Sequence, residues 1–190
     1  MHRLAANFVL GYHGCDESIA GLLLNGEPFK QSNNAYDWLG PGIYFWEANP
    51  KRALEFAEEV AERHPRLIRT PAVVGAVIDL GYCLDLSTSA GIARLKIAYK
   101  SLKQDNVGNL PKNGKKLLLR YLDCAVLKRL HAIHGDDAPD DPIETVRGIF
   151  VEGKSAYPGA GFRDKTHVQI AVCDPENIKG VFRVGQSLLR

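Results

Sequence analysis

Tyr36-Asp37-Trp38-Leu39-Gly40-Pro41-Gly42-Ile43-Tyr44-Phe45-Trp46 is the stretch from which the rest of this chain can be read. Two glycines around a proline make 40–42 a turn. The β-branched and aromatic run behind them predicts a strand over 42–46. Asn49-Pro50 then opens a helix, with asparagine as N-cap and proline at the first helical position. Ala53, Phe56, Ala57 and Val60 form its apolar stripe, and His64-Pro65 marks its end. On the other side, residues 27–41 read as a loop.

Further upstream, Phe8–Tyr12 is an apolar strand expected to end at His13-Gly14. Asp16, Glu17 and Ser18 offer a cap and first-turn acids to a helix carrying Ile19, Leu22 and Leu23, which Asn25-Gly26 stops. Downstream, Pro71–Leu80 reads as a strand, Ser87–Leu102 as a helix and 104–114 as a loop. Lys115–His134 reads as the strongest helix, with Leu118, Leu122, Val126, Leu130 and Ile133 on or near one face, ended by the acidic run Gly135–Asp141. Val146–Val151, His167–Cys173 and Gly180–Val184 are strand candidates. This order predicts an α+β fold with helices against a mixed or antiparallel sheet, in one domain over 1–190 with a helical insertion at about 87–135. No GxGxxG follows the first strand, so a dinucleotide-binding Rossmann unit is disfavoured.

Bulk properties agree with one packed domain. The chain has 190 residues, 45% hydrophobic and 24% charged, so it is neither too polar nor too short for a core. A formal net charge of +2 gives no overall field for nucleic acid. Lys112, Lys115, Lys116, Arg120, Lys128 and Arg129 concentrate positive charge locally, which reads as a solvated helix face. Cys15, Cys83, Cys124 and Cys173 are far apart without CxxC spacing, so neither zinc nor a disulfide framework is expected. His131 and His134 lack a third ligand nearby in sequence, and no metal is expected there either. Neither a leader-like start nor an apolar run of ~20 residues is visible. A cytoplasmic setting without membrane contact is the expectation.

Three segments carry candidate chemistry. Gly11-Tyr12-His13-Gly14 presents an imidazole beside a glycine that allows close backbone approach. Gly40–Trp46 presents Tyr44 within an aromatic strand. Lys165-Thr166-His167-Val168-Gln169-Ile170-Ala171-Val172-Cys173-Asp174 alternates polar and apolar residues before a turn. Singly, each reads as ordinary structure: a satisfied histidine, core aromatics, a sheet strand with one polar face.

In their order and combination these segments resemble the PARP-like, diphtheria-toxin-like ADP-ribosyltransferases. Tyr12-His13-Gly14 resembles that family's first mark, and Leu39-Gly40-Pro41-Gly42-Ile43-Tyr44-Phe45 resembles its second very closely. Gln169, five residues before Asp174, falls where the third mark has glutamate. The match is clear over 9–57, moderate over 165–184 and absent over about 80–145. The resemblance implies a split sheet around an NAD cleft and NAD as substrate, with no metal. It implies that His13 hydrogen-bonds the adenine-side ribose, that the Gly14 backbone holds the nicotinamide amide and that Tyr44 stacks on the nicotinamide ring. Ser32, Asn33, Tyr36 and Gly42 are expected to help line the pocket.

Gln169 is the departure. A carboxylate ~4 Å from a developing cation contributes about 4 kcal/mol at an effective dielectric near 20, roughly a thousandfold in rate. Glutamine keeps the hydrogen bond without that charge and is no general base. Glu152, at a strand end before the loop 153–162, is the candidate substitute. Asp37 reads as a turn residue, His167 shares a strand face with Gln169, and Arg147 and Arg163 are weaker candidates for phosphate contact. The expected activity is mono-ADP-ribosyl transfer to a macromolecular acceptor, in the manner of a bacterial toxin or defence effector, with a cognate inhibitor or antitoxin as a candidate partner. NAD hydrolysis and a non-catalytic NAD- or ADP-ribose-binding regulatory module stand beside it, the latter kept open by Gln169.

Overall fold

In a computed structural model of the chain, residues 7–114 and 119–189 are described. They form an α+β fold: one seven-stranded mixed sheet with four α-helices and two short 3-10 turns. The strands are β1 (Phe8–Asp16), β2 (Ile43–Glu47), β3 (Pro71–Asp79), β4 (Cys83–Asp85), β5 (Thr145–Phe150), β6 (His167–Val172) and β7 (Ile178–Arg183). The helices are α1 (Glu17–Leu24), α2 (Pro50–Arg63), α3 (Ser89–Asp105) and α4 (Tyr121–Asp137). The order across the sheet is β4-β5-β6-β2-β1-β3-β7, and only β4–β5 is a parallel pair.

Strand alternation sorts side chains onto two faces. Ile43, Phe45, Ala76, Ile78, Ile170 and Val172 form one buried cluster. The α1 residues Ala20 and Leu23 pack beside it on Cys15 and Val74. On the opposite face Tyr12, Trp46 and Val73 meet Ala53 of α2. There too, Leu39, Val146 and Ala171 meet Ala98 of α3 and Val126, Leu127 and Leu130 of α4.

The strand β1 runs on to Asp16, so His13 and Gly14 lie inside it and not at its end. Its pairing with β3 continues from Phe8↔Asp79 to Asp16↔Pro71. Its pairing with β2 stops at Gly11↔Glu47 and Tyr12↔Trp46, so the two strands part at His13. Asp16 still caps α1, accepting from the Ser18 amide at 3.0 Å, and also accepts from the Arg69 and Thr70 amides. Those bonds hold its carboxyl well below the usual range.

Helix α2 starts as its caps predict: Asn49 Oδ1 accepts from the Arg52 amide at 3.0 Å, with Pro50 at the first position. Between β2 and α2, Ala48 has φ 50°, the left-handed region that side chains other than glycine rarely take.

The insertion is a helix pair, and its second member differs from expectation. Leu119 and Arg120 are not helical, α4 begins at Tyr121, and Lys115–Leu118 lie outside the described residues. The start is set from a distance, because Asn113 Oδ1 accepts from the amides of Leu122 and Asp123. The short strand β4 has no counterpart in the sequence reading. Among the described residues no helix is long and apolar enough to cross a membrane.

Candidate functional site

Where β1 and β2 part, the His13 ring fills the gap. Its Nδ1 lies 2.8 Å from the Tyr44 carbonyl, which can only accept, so Nδ1 carries the proton. Burial holds the imidazole below its ordinary pKa, outweighing the opposing effect of that bond. A neutral ring protonated at Nδ1 leaves Nε2 as an acceptor, suited to a ligand hydroxyl. Phe29 and Phe45 pack against the ring at centroid distances of 5.4 and 5.7 Å and fix its plane.

The ring of Tyr44 is also fixed. Its hydroxyl accepts from the Leu39 amide at 2.9 Å and donates to the Gly40 carbonyl at 2.7 Å. Burial pushes its pKa far up, so it stays protonated. The loop before it is tied to the same strand: the Ser32 and Gly42 backbones exchange two hydrogen bonds, at 2.8 and 3.0 Å. Asp37 organises that loop, accepting from Ser32 Oγ and from the amide and side chain of Asn34.

A cavity of about 400 Å³ opens here, between β1, β2, β6, the 32–38 loop and α2. That lies in the ~300–1,000 Å³ range of small-molecule sites. His13, Gly14, Ser32, Tyr36, Tyr44, Glu152 and Gln169 all line it. Asn33 and Gly42 do not: Asn34 takes the first position, and Gly42 sits behind the wall, where a Cβ would lie 3.0 Å from the Val172 carbonyl. At Gly14 a Cβ would lie only 2.1 Å from the Ala53 carbonyl, so glycine is needed there for α2 to dock. Asp37 lines the cavity as well as ordering its loop. A second cavity, of about 720 Å³, lies between α3, α4 and β5 and shares Trp38 with the first. Leu86, Ile92, Leu95, Val126 and Leu127 line it with Lys96, Arg120 and Asp123, and none of His13, Tyr44, Glu152 or Gln169 reaches it.

Gln169 stands opposite Trp46 in the β2–β6 register and opposite Gly148 in β5–β6. Glu152 follows β5 and closes the base of the 153–164 loop, its carbonyl accepting from the Lys165 amide at 3.2 Å. Gly153 has φ +85°, and a Cβ there would meet Asp164 Oδ1 at 1.8 Å, so the turn after Glu152 requires glycine. His167 is buried behind this wall and is not part of the lining. Its Nδ1 lies 2.7 Å from the Lys165 carbonyl, and burial lowers its pKa.

Several residues of the site escaped the sequence reading: Trp46, Arg52, Phe56, Arg63 and His64 all line the cavity. Arg52, Phe56, Val60 and Arg63 recur at helical spacing, so one edge of the apolar stripe of α2 and the two arginines beside it face the cavity. Neither candidate phosphate-binding arginine is here. Arg147 is held by Glu47 at 2.6 Å and Asp85 at 3.2 Å, and Arg163 donates to Ser155 Oγ within its loop. The basic stretch is partly neutralised, since Arg129 pairs with Asp105 at 2.5 Å and Arg120 with Asp123 at 3.7 Å. Among the described residues no group of three or more His, Cys, Asp or Glu side chains could hold a metal ion.

No family model matches the chain, and no curated protein sequence or solved structure matches it either.

Proposed function

We propose that the chain is an NAD-dependent mono-ADP-ribosyltransferase with a PARP-like split-sheet fold, which cleaves the nicotinamide–ribose bond and passes ADP-ribose to a macromolecular acceptor. One observation carries the reading. His13, Gly14, Tyr44 and Gln169, which bear the sequence resemblance, line one cavity together with a carboxylate, Glu152.

The chemistry asks little beyond placement and charge. The nicotinamide ring of NAD is a cationic leaving group and departs neutral with the bonding pair. Tyr44, its hydroxyl held on both sides, offers a fixed aromatic face for that ring. Unprotonated Nε2 of His13 accepts from a ribose hydroxyl. As the C–N bond breaks, positive charge grows on the ribose, where the Glu152 carboxylate stabilises it. Glu152 then takes the proton of the attacking acceptor hydroxyl, amine or acid as the new bond to ribose forms. Gln169 holds a ribose hydroxyl without adding charge. The sharing of one cavity by Glu152 and Tyr44 favours turnover over binding alone.

The test is nicotinamide release from NAD by the purified protein, with and without cell lysate. Release that depends on lysate and collapses in His13→Ala is expected. Glu152→Gln should lose roughly a thousandfold, the worth of one carboxylate beside a cation, and Gln169→Ala much less. Release without lysate, with free ADP-ribose as the product, would identify water as the acceptor. NAD binding with no release under either condition would overturn the enzyme reading and leave a nucleotide-binding regulator.

A further inference from the structure

We propose that Arg52 is the positioning residue that holds Glu152 in the cavity wall; this rests on the transferase reading of that cavity. Arg52 is 6% exposed, and no other lysine or arginine is buried among the described residues. It is poorly satisfied there. Nη2 donates to Glu152 Oε2 at 3.3 Å, while Nε and Nη1 are buried without a hydrogen-bond acceptor. Guanidinium groups buried for stability are normally fully hydrogen-bonded, and an apolar side chain of similar size would serve this helix better. Departures of this kind from local packing rules gather at functional sites. Both Arg52 and Glu152 line the cavity.

The surroundings leave Arg52 to Glu152. Its other neighbour, Glu59, lies 3.3 Å from Nη1 without hydrogen-bond geometry, and Lys165 engages that carboxylate at 2.7 Å, with Arg63 at 3.5 Å. Burial opposes ionisation of Glu59, but the Lys165 hydrogen bond and the cations around it prevail and hold its pKa below the usual value. Glu55 is farther away, at 4.0 Å. His167 Nδ1 is 3.8 Å from Glu152 Oε2, but it donates to the Lys165 carbonyl and burial disfavours its charged form. Arg52 is therefore the charge that fixes Glu152. Both contacts fall on Oε2, which leaves Oε1 to meet a ligand hydroxyl or an incoming acceptor.

The backbone holds both partners in place. Ala48 in the left-handed region and the Asn49 cap set Arg52 in the first turn of α2, and the Gly153 turn sets Glu152 at the end of β5. A glutamate with three free torsions, released from this pair, would spend much of its time out of reach, and misplacement of ~1 Å costs about a hundredfold in rate.

The test compares Arg52→Met, Arg52→Lys, Glu152→Gln and the double variants in steady-state nicotinamide release. Arg52→Met should lower kcat by about 10–100-fold with KM for NAD within twofold, and Arg52→Lys should recover part of that loss. Adding either Arg52 change to Glu152→Gln should cost nothing further. Multiplying losses in the double variants, or a raised KM with unchanged kcat, would overturn the proposal. If Arg52→Met does not fold, Arg52→Lys with and without Glu152→Gln makes the same comparison. Wild-type protein without turnover would sink the transferase reading instead. Crystal structures of wild type and Arg52→Met then decide the positioning role, which is overturned if Glu152 keeps the same rotamer in both.

Discussion

Replacing Tyr44 by phenylalanine removes one oxygen and leaves the ring, which separates the two tasks of this side chain. The hydroxyl satisfies the amide of Leu39, a residue 2% exposed, and the carbonyl of Gly40, which is also buried. An unsatisfied buried donor costs about 1–3 kcal/mol. The carbonyl adds a smaller amount, for a total of about 2–4 kcal/mol. No apolar contact is lost, so no cavity term adds to it. For a domain of this size each kcal/mol is worth about 2–4 °C, which predicts a fall in Tm of about 4–16 °C. Thermal unfolding followed by circular dichroism measures it. Nicotinamide release at 20 °C should keep its KM for NAD, because the aromatic face remains, whereas Tyr44→Ala should lose both stability and affinity. A Tyr44→Phe protein melting within 1 °C of wild type would refute the reasoning, since it would mean that the hydroxyl does not hold the 39–40 turn.

Other expectations follow from the same geometry. Gly14→Ala places a methyl against the Ala53 carbonyl, a backbone atom that cannot swing aside, so α2 must shift; a loss of about 1–3 kcal/mol or more is expected in urea unfolding, with weakened NAD binding. Arg147→Met breaks the ties from β5 to Glu47 and Asp85, and should lower stability by about 1–3 kcal/mol while leaving the KM for NAD unchanged; a large rise in KM would return Arg147 to the ligand. Burial depresses the pKa of His13, His131 and His167 in the folded protein. Below the unfolded value near 6.5 the unfolded chain therefore binds more protons, so stability is full above that pH and declines as pH falls through the window beneath it. Each such proton contributes up to about 1.4 kcal/mol per pH unit. A urea midpoint that stays flat from pH 7 to 5.5 would contradict those buried neutral rings.

Much of the fold was legible because the relevant signals are local. Asp16, Asn49-Pro50 and Asn25-Gly26 bound α1 and α2 through bonds within a few residues, and β2, β3, β5, β6 and β7 were recognisable from their composition or alternation. What escaped depends on distant partners. The start of α4 is capped by Asn113 from across a loop, so the apolar spacing alone placed it too early. The helix also runs through His134 to Asp137, because the acidic run that reads as a stop does not prevent helical geometry. Three residues of β4 are too few for a pattern and are held by pairing with β5. At the site, His13 and Tyr44 carried motifs, but Arg52 reads as an ordinary exposed helix arginine until β5 and Glu152 are brought against it. Asn33 and Asn34 differ only in which one the Asp37-ordered loop turns inward, a choice the sequence does not encode locally.

The place of β6 in the sheet has a consequence for how the molecule is made. Lying between β2 and β5, it pairs with both, yet it is synthesised after both of them. A chain emerging from the ribosome carries His13, Tyr44 and Arg52 long before, and Glu152 shortly before, residues 167–172 exist to join the two halves. Until then β2 and β5 each present an open edge, able to recruit strands from other chains. Closure of the sheet and completion of the cavity are thus one late event, a long-range pairing of the kind that slows folding. On the transferase reading, a nascent chain could not consume NAD before its last strands were in place, and a peptide spanning 167–172 supplied in trans to a chain lacking it would switch on both structure and activity together.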